Sequence, residues 1–242
     1  MTNLLLNIPP SKHMPLLFEH YDVDTLHRED VETFIHQVFS DSYGANITSF
    51  LPDLFALRSS KGSIMAAVGM RVAGVEPLFL ETYLDKPIEQ VIYDVTPSSA
   101  QHPNRKDIIE LGNLTAVHPG SARLIIIAMT TLLYHAGFKW VSFTAVPTLV
   151  NSFKKLGLDP VLLGHADKEM LAHDAKAEWG GYYDHQPMVF AGRIADGYKA
   201  LENSNLYSDI LVSANQWAKT AMRPSRNYLF NQSCRSIATA NS

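Results

Sequence analysis

The sequence predicts an α/β domain, on three observations. Strand-like and helix-like patterns alternate through the first 200 residues, which is the signature of layered sheet and helix. One unit, residues 107–137, runs from an apolar strand through a Pro-Gly turn into a helix that is apolar nearly all round, so that helix must be buried. The 242 residues are 46% apolar and 18% charged, enough apolar mass for one large core. Residues 1–200 are assigned to that domain, and residues 201–242 to an appended amphipathic helix with a basic, partly disordered tail.

The elements follow in chain order. PLLFEHY at 15–21 reads as a short strand. Asp24 and Thr25 offer N-caps to a helix reaching about Phe39, with Leu26, Val31, Phe34, Ile35 and Val38 on its apolar face. Leu54–Arg58 and Ile64–Val72 are strands joined by a Ser-Ser-Lys-Gly turn. Residues 83–93 predict a short helix, with Asp85 as its cap and Pro87 in its first turn. Residues 94–106 are a polar loop. Ile108–Val117 is a strand, His118-Pro119-Gly120 a turn, and Ser121–Ala136 the buried helix, followed by Gly137. Trp140–Ala145 is a strand, and Pro147 opens a helix that stops at Gly157. Val161–Leu163 is strand-like, 167–178 a charged exposed helix, and Met188–Ile194 the last strand. Beyond them, Leu206, Ile210, Ala214, Trp217 and Ala221 recur every three or four residues, as on one amphipathic helix. No acidic residue follows Asp209, whereas Lys219, Arg223, Arg226 and Arg235 do.

Several function classes are excluded by bulk properties. The net charge of −4 gives no whole-surface fit to nucleic acid. The single cysteine, Cys234, can form neither an internal disulfide nor a metal cluster, so no metal is expected. Leu4-Leu5-Leu6 is too short for an export signal and no basic residue precedes it, which predicts a cytoplasmic protein. The longest apolar stretch, Leu124–Leu133, is about half the length of a membrane span and is broken by Thr130 and Thr131.

Five features have residue types suited to chemistry. The helix start at 120–123 can present backbone N–H groups and Arg123 to a phosphate, although Pro119 removes one donor; an ordinary strand–helix turn with a surface arginine has the same sequence. Glu110, set among Ile108, Ile109, Leu111 and Leu114, is placed to be desolvated into a general base, or else is an ion-paired strand residue. Glu81, Asp85 and Glu89 are spaced four apart; Glu81 sits in the apolar LFLET segment. Arg71 can clamp a carboxylate or phosphate, or serve a structural ion pair. Trp179, Tyr182 and Tyr183, around Gly180 and Gly181, suit either a substrate pocket or core packing. His102 and Asp107 match the H-x4-D spacing of glycerolipid acyltransferases, but in a polar loop without that motif's helical context, so the match is set aside. There is no G-x-S-x-G, Walker loop, H-E-x-x-H or dinucleotide glycine pattern.

Five segments together resemble the thermostable hemolysin family of bacterial proteins: YGANITSFLPDLFAL (43–57), AAVGMRVAGVEPLFLETYLDKPIEQVI (66–92), IIELGNLTAVHPGSARLI (108–125), KWVSFTAVPTLVNSFKKLGL (139–158) and WGGYYDHQPMVFAGRI (179–194). The resemblance rests on their order and spacing over most of residues 30–197. In layout that family is similar to the GNAT acyltransferase superfamily and to the acyl-homoserine lactone (autoinducer) synthases. The resemblance implies a GNAT-like acyl-CoA N-acyltransferase fold with a mixed central sheet flanked by helices. It implies a donor, acyl-CoA or the phosphopantetheine of acyl carrier protein, lying where the central strand splays from its neighbour. Val117, His118, Gly120, Ser121, Ala122 and Arg123 would then cradle phosphate. Glu110, with Glu81 as a second candidate, would deprotonate a small amine acceptor, and Arg71 would orient it. Phe143, Asn151, Trp179, Tyr182 and Tyr183 would line the substrate pocket. Two departures stand out: VHPGSAR has one glycine where GNAT enzymes have a richer loop, and the helix after Thr144 shows Asn151 and Phe153 rather than a tyrosine acid.

Three functions therefore compete. The first is an enzyme moving a fatty acyl group from a thioester to an amine, with haemolysis arising from a lipid-like product. The second is a directly membrane-active protein whose residues 205–235 lie on an anionic bilayer. The third is an acyl-binding module without catalysis.

Overall fold

The computed structural model describes residues 4–6, 16–96, 102–204 and 210–215. Among these residues, eight strands form one sheet in the order β1-β2-β3-β4-β5-β6-β8-β7: β1 (Leu4–Leu6), β2 (Leu16–Tyr21), β3 (Asp53–Ser59), β4 (Ile64–Val72), β5 (Ile108–Ala116), β6 (Trp140–Ala145), β7 (Val161–His165) and β8 (Met188–Arg193). Every pairing is antiparallel except β5–β6, which the crossover helix α3 (Pro119–His135) makes parallel. The mixed sheet flanked by helices is thus the fold.

Period-two alternation divides the core between the two faces. Phe55 and Leu57 of β3 and Val68 and Met70 of β4 pack with Ile125, Met129 and Leu132 of α3. Their alternates Leu54, Ala56 and Ala67 pack with Val31, Ile35 and Phe39, one stripe of α1 (Arg28–Tyr43). Helix α2 (Ile88–Val95) seals the centre of that second face, with Ile88 and Ile92 against Ile108 and Trp140. On the α3 face, α4 (Pro147–Lys155) and α6 (Ile194–Glu202) complete the layer through Phe153, Tyr198 and Leu201. Helix α5 (His173–Glu178) is short.

Three boundaries differ from the sequence reading. Helix α1 begins at Arg28, because Thr25 and Asp22 spend their side chains on each other: the Thr25 hydroxyl donates to Asp22 Oδ1 at 2.6 Å and accepts the Asp22 N–H at 3.0 Å. The helix expected at 83–93 splits into a 3-10 turn, Phe79–Tyr83, and α2, with Pro87 at the cap position. Asp85 does not cap it; the Glu81 carboxylate accepts the Ile88 N–H at 2.9 Å. Residues 167–178 likewise split into a 3-10 turn, Lys168–Met170, and α5.

Residues 210–215 are helical, and Ile210, Leu211 and Ala214 are buried in the core. Leu206, Trp217, Ala221, Cys234 and the basic tail lie outside the described residues. Among the described residues, no helix is long and apolar enough to cross a membrane.

Candidate active site

Strands β5 and β6 pair over only four positions, Ile108↔Trp140 to Leu111↔Phe143, and then part, although β5 continues to Ala116 and β6 to Ala145. A local bulge accompanies the parting. Asn113 takes a left-handed conformation (φ 51°), which asparagine tolerates better than other side chains, and the β4–β5 register shifts between Ala67 and Gly69. Leu51 presses on the two backbones at this place: a Cβ added at Gly69 or Gly112 would lie 2.8 or 3.0 Å from its side chain. The Asn113 carboxamide fastens the same loop, accepting the Leu51 N–H at 3.0 Å and donating to the Ser49 carbonyl at 3.4 Å.

The parting opens a cavity of about 920 Å³, bounded by residues 111–119 of β5 and its loop, by α3, by Phe143, Thr144 and Val146, by α4 and by an aromatic wall. That volume suits a small-molecule site. Glu110 is part of its wall and is only 4% exposed, on the side of the sheet facing the 3-10 turn. Its two carboxylate oxygens accept the N–H groups of Phe79 and Leu80, each at 2.9 Å. Arg71 Nε stands 3.8 Å from Glu110 and 3.2 Å from Glu76, and Arg71 also donates to the Pro77 carbonyl. Burial pushes the Glu110 carboxyl above its ordinary range, and it outweighs Arg71 and the two amides, which pull the other way. The result is a buried carboxylate held in one orientation and readier than usual to take a proton.

Glu81 has a different environment. It is bound by Arg105 at 2.5 and 2.6 Å and by the N–H groups of Leu78 and Ile88, and it is not part of the cavity wall. Burial pushes its carboxyl up, but Arg105 and the two amides outweigh burial and hold it below the ordinary range. Arg71 does line the cavity, beside Glu110.

The aromatic wall is built from Phe79, Trp179 and Tyr182. Trp179 stacks on Phe79 at 5.7 Å and packs against Tyr182, and all three line the cavity. Tyr183 stands behind them, its hydroxyl bonded to that of Tyr83, which does face the cavity. Burial raises the Tyr183 phenol to about 12, so it stays protonated. Gly180 lets this segment turn: its φ is +49°, and a Cβ there would run into the Tyr43 and Gly44 carbonyls. Phe143 stacks on Phe153 at 4.6 Å inside the cavity, whereas Asn151 points outward and its neighbour Ser152 lines the wall instead.

The helix start expected to cradle phosphate is partly occupied by its own side chain. His118 is the N-cap of α3, its Nδ1 accepting the Ser121 N–H at 3.1 Å, and its carbonyl accepts the Ala122 N–H at 3.2 Å. Pro119 has no N–H, which leaves the Gly120 N–H and the Arg123 side chain for an anion. Val117, His118 and Ala122 border the cavity, while Gly120, Ser121 and Arg123 stand just outside it.

Other features of the cavity wall match no sequence motif. Thr115 is buried on β5 in the cavity wall, and its hydroxyl has no hydrogen-bond partner among the described residues. From Leu111 to Leu158 there is no Asp or Glu, while Arg123, Lys139, Lys154 and Lys155 are present; this acid-free run supplies α3 and α4, the helices beside the cavity. The Gly112-Asn113 pair inside a strand was the available signal for the bulge. Among the described residues, no group of three or more His, Cys, Asp or Glu side chains could hold a metal ion.

A sheet of this order, split beside a central crossover helix, is the GNAT-like acyltransferase fold, and solved structures share it. TofI, solved in an apo form, superposes with a TM-score of 0.53 at 12% identity, covering 78% of this chain and 98% of that one. FeeM, an N-acyl amino acid synthase from uncultured soil microbes, gives 0.50 at 12% identity over 74% and 92%. The CoA-dependent acyl-homoserine lactone synthase BjaI, with SAM and isopentyl-CoA, gives 0.50 at 13% identity over 82% and 98%. The chain itself belongs to the thermostable hemolysin family, whose model matches residues 21–198. No curated protein sequence matches it.

Proposed function

We propose that this chain is an N-acyltransferase that moves a fatty acyl group from a pantetheine thioester to a small amine. The observation that carries the reading is Glu110: a desolvated carboxylate, fixed by two amides, in the wall of a cavity that opens where two parallel strands part. The donor's arm would lie along residues 112–116, with its thioester near Glu110. The acceptor would enter along Trp179, Tyr182 and Phe79, oriented by Arg71. Glu110 takes a proton from the acceptor's ammonium or attacking amine. The nitrogen adds to the thioester carbon, the tetrahedral oxyanion collapses, and the C–S bond breaks; the departing thiolate takes up the proton that Glu110 removed from the nitrogen, so that amide and thiol leave and the carboxylate is restored. Proximity in one cavity supplies much of the rate. Glu81 we assign to holding the 3-10 turn rather than to proton transfer.

Either CoA or acyl carrier protein meets the chemistry of the donor side, because the acid-free α3–α4 face suits any anionic carrier. The structure of BjaI, a CoA-dependent acyl-homoserine lactone synthase, with SAM and isopentyl-CoA supports the reading that this fold can hold a CoA compound and a second small molecule together. The reading places the protein in the cytoplasm and makes haemolysis a property of a lipid-like product. Peripheral membrane contact through residues 205–235 is less favoured, because the described part of that segment buries Ile210, Leu211 and Ala214 in its own domain.

The test compares lipids extracted from one bacterial host expressing the wild type or Glu110→Gln, by mass spectrometry. An acylated amine present only with the wild type supports the reading. Identical profiles, with both purified proteins lysing red cells, would sink it in favour of direct membrane activity.

A further inference from the structure

One charged cluster lies behind Glu110 and takes no part in the reaction as written. Arg105 grips Glu81 through two bonds of 2.6 and 2.5 Å, and reaches Glu89 on α2 at 2.8 Å. Glu81 uses the same two oxygens to accept the N–H of Leu78, at the head of the 3-10 turn, at 2.8 Å, and that of Ile88, at the head of α2, at 2.9 Å. A single carboxylate therefore ties two element starts together, and a planar two-point guanidinium clasp fixes its orientation. The first two amides of that 3-10 turn, Phe79 and Leu80, are the ones that hold Glu110. The chain of contacts runs without a gap from Arg105 to Glu81, through the backbone of Leu78–Leu80, to the buried carboxylate.

We propose that Arg105 and Glu81 are positioning residues, which hold the Phe79 and Leu80 amides against Glu110 and so set how readily that carboxylate takes a proton. The proposal rests on Glu110 being the base, but its test does not require turnover. The charged and titratable groups facing Glu110 are Arg71, with Glu76 behind it, on the β4 side, and Glu81 and Tyr83 on the 3-10 turn. A direct charge effect and a positioning effect of Glu81 have opposite signs. Removing the Glu81 charge alone would ease ionisation of Glu110. Loosening two N–H donors that stabilise its ionised form would hinder it.

The experiment is a carboxyl-carbon NMR titration of the full chain labelled at glutamate, with Glu110 assigned by its loss in Glu110→Gln. The variants are Glu81→Gln and Arg105→Lys; the second keeps the charge and loses the two-point clasp. The expected result is a Glu110 midpoint raised by about half a pH unit or more in both, a roughly threefold gain in proton affinity, together with faster hydrogen exchange at the Phe79 and Leu80 amides. An unchanged or lowered midpoint in both variants would overturn the proposal. Moved midpoints in a protein that never yields an acylated amine would leave the positioning role standing and sink the acyltransferase reading. An active wild type with unmoved midpoints would do the reverse.

Discussion

Replacing Glu110 by Gln separates the burial of this group from its hydrogen bonds, and the two respond differently to pH. The ionised carboxylate accepts one amide N–H on each oxygen. Glutamine keeps one acceptor and turns an NH2 toward the other amide, so one charge-assisted bond is lost and one buried N–H is stranded, a cost of about 1–3 kcal/mol. Against that cost, the variant no longer has to bury a charge. The sign follows from the raised carboxyl. The folded state binds the Glu110 proton more tightly than the unfolded chain does. The group's contribution to stability is therefore full below the ordinary glutamate value of about 4.3 and is lost as pH rises through the folded value. Within that window the wild type should lose about 1.4 kcal/mol per pH unit from this group, and Glu110→Gln nothing. Urea unfolding of both proteins, followed by tryptophan fluorescence from pH 4.5 to 8.5, gives the difference in stability directly. It should fall with pH and then flatten. A difference that rises with pH would refute the reasoning, because it would mean that Arg71 and the two amides outweigh burial.

Three further outcomes follow from individual contacts. Thr115→Val removes a buried hydroxyl that has no partner among the described residues, so its thermal midpoint should be unchanged or higher; a loss above about 1 kcal/mol would show that the hydroxyl is satisfied. Gly180→Ala forces a Cβ onto the Tyr43 and Gly44 carbonyls at positive φ, and should cost about 2 kcal/mol or more by chemical denaturation while displacing Trp179 from its stack on Phe79. Leu211→Ala opens a void between the 210–215 segment and the α3 face, and should cost about 2–4 kcal/mol; a neutral result would mean that the segment is undocked in solution and free to meet a bilayer.

The fold was readable because it is written in periodicity. The alternation of Leu54, Phe55, Ala56 and Leu57 between two cores, and the all-round apolar α3, are properties of consecutive residues. The breaks in the helices at 79–88 and 168–173 were not readable. The first comes from Glu81 capping α2 in place of Asp85, a competition decided by where Arg105 comes to rest, 24 residues along the chain. Glu110 was legible as a carboxylate among apolar neighbours, and Arg71, Trp179 and Tyr182 do meet it at one cavity. Asn151 and Ser152 could not be told apart by type alone; helix phase turns the first outward. The His118 cap was hidden because a histidine before Pro-Gly reads equally as a turn residue, and only the folded ring shows that it takes the Ser121 N–H.

The split in the sheet is an energetic problem that the surrounding sequence must solve. Parallel strands that part leave backbone groups of residues 112–116 without a neighbour on one side, and buried backbone groups are normally paired. Here the loop before β3 packs against the same stretch. Leu51 packs closely onto Gly69 and Gly112, where an added Cβ would lie 2.8 and 3.0 Å from its side chain, and the Asn113 carboxamide closes the loop on both its donor and acceptor sides. The left-handed Asn113 resets the alternation of β5, so that Glu110 and Thr115 both lie on the α1–α2 side although they are five residues apart, a spacing that in a regular strand would put them on opposite faces. The bulge thus serves the cavity: it shapes the cleft beside the paired stretch Ile108–Leu111 and places a carboxylate and a hydroxyl on the same face of the sheet, both in the cavity wall.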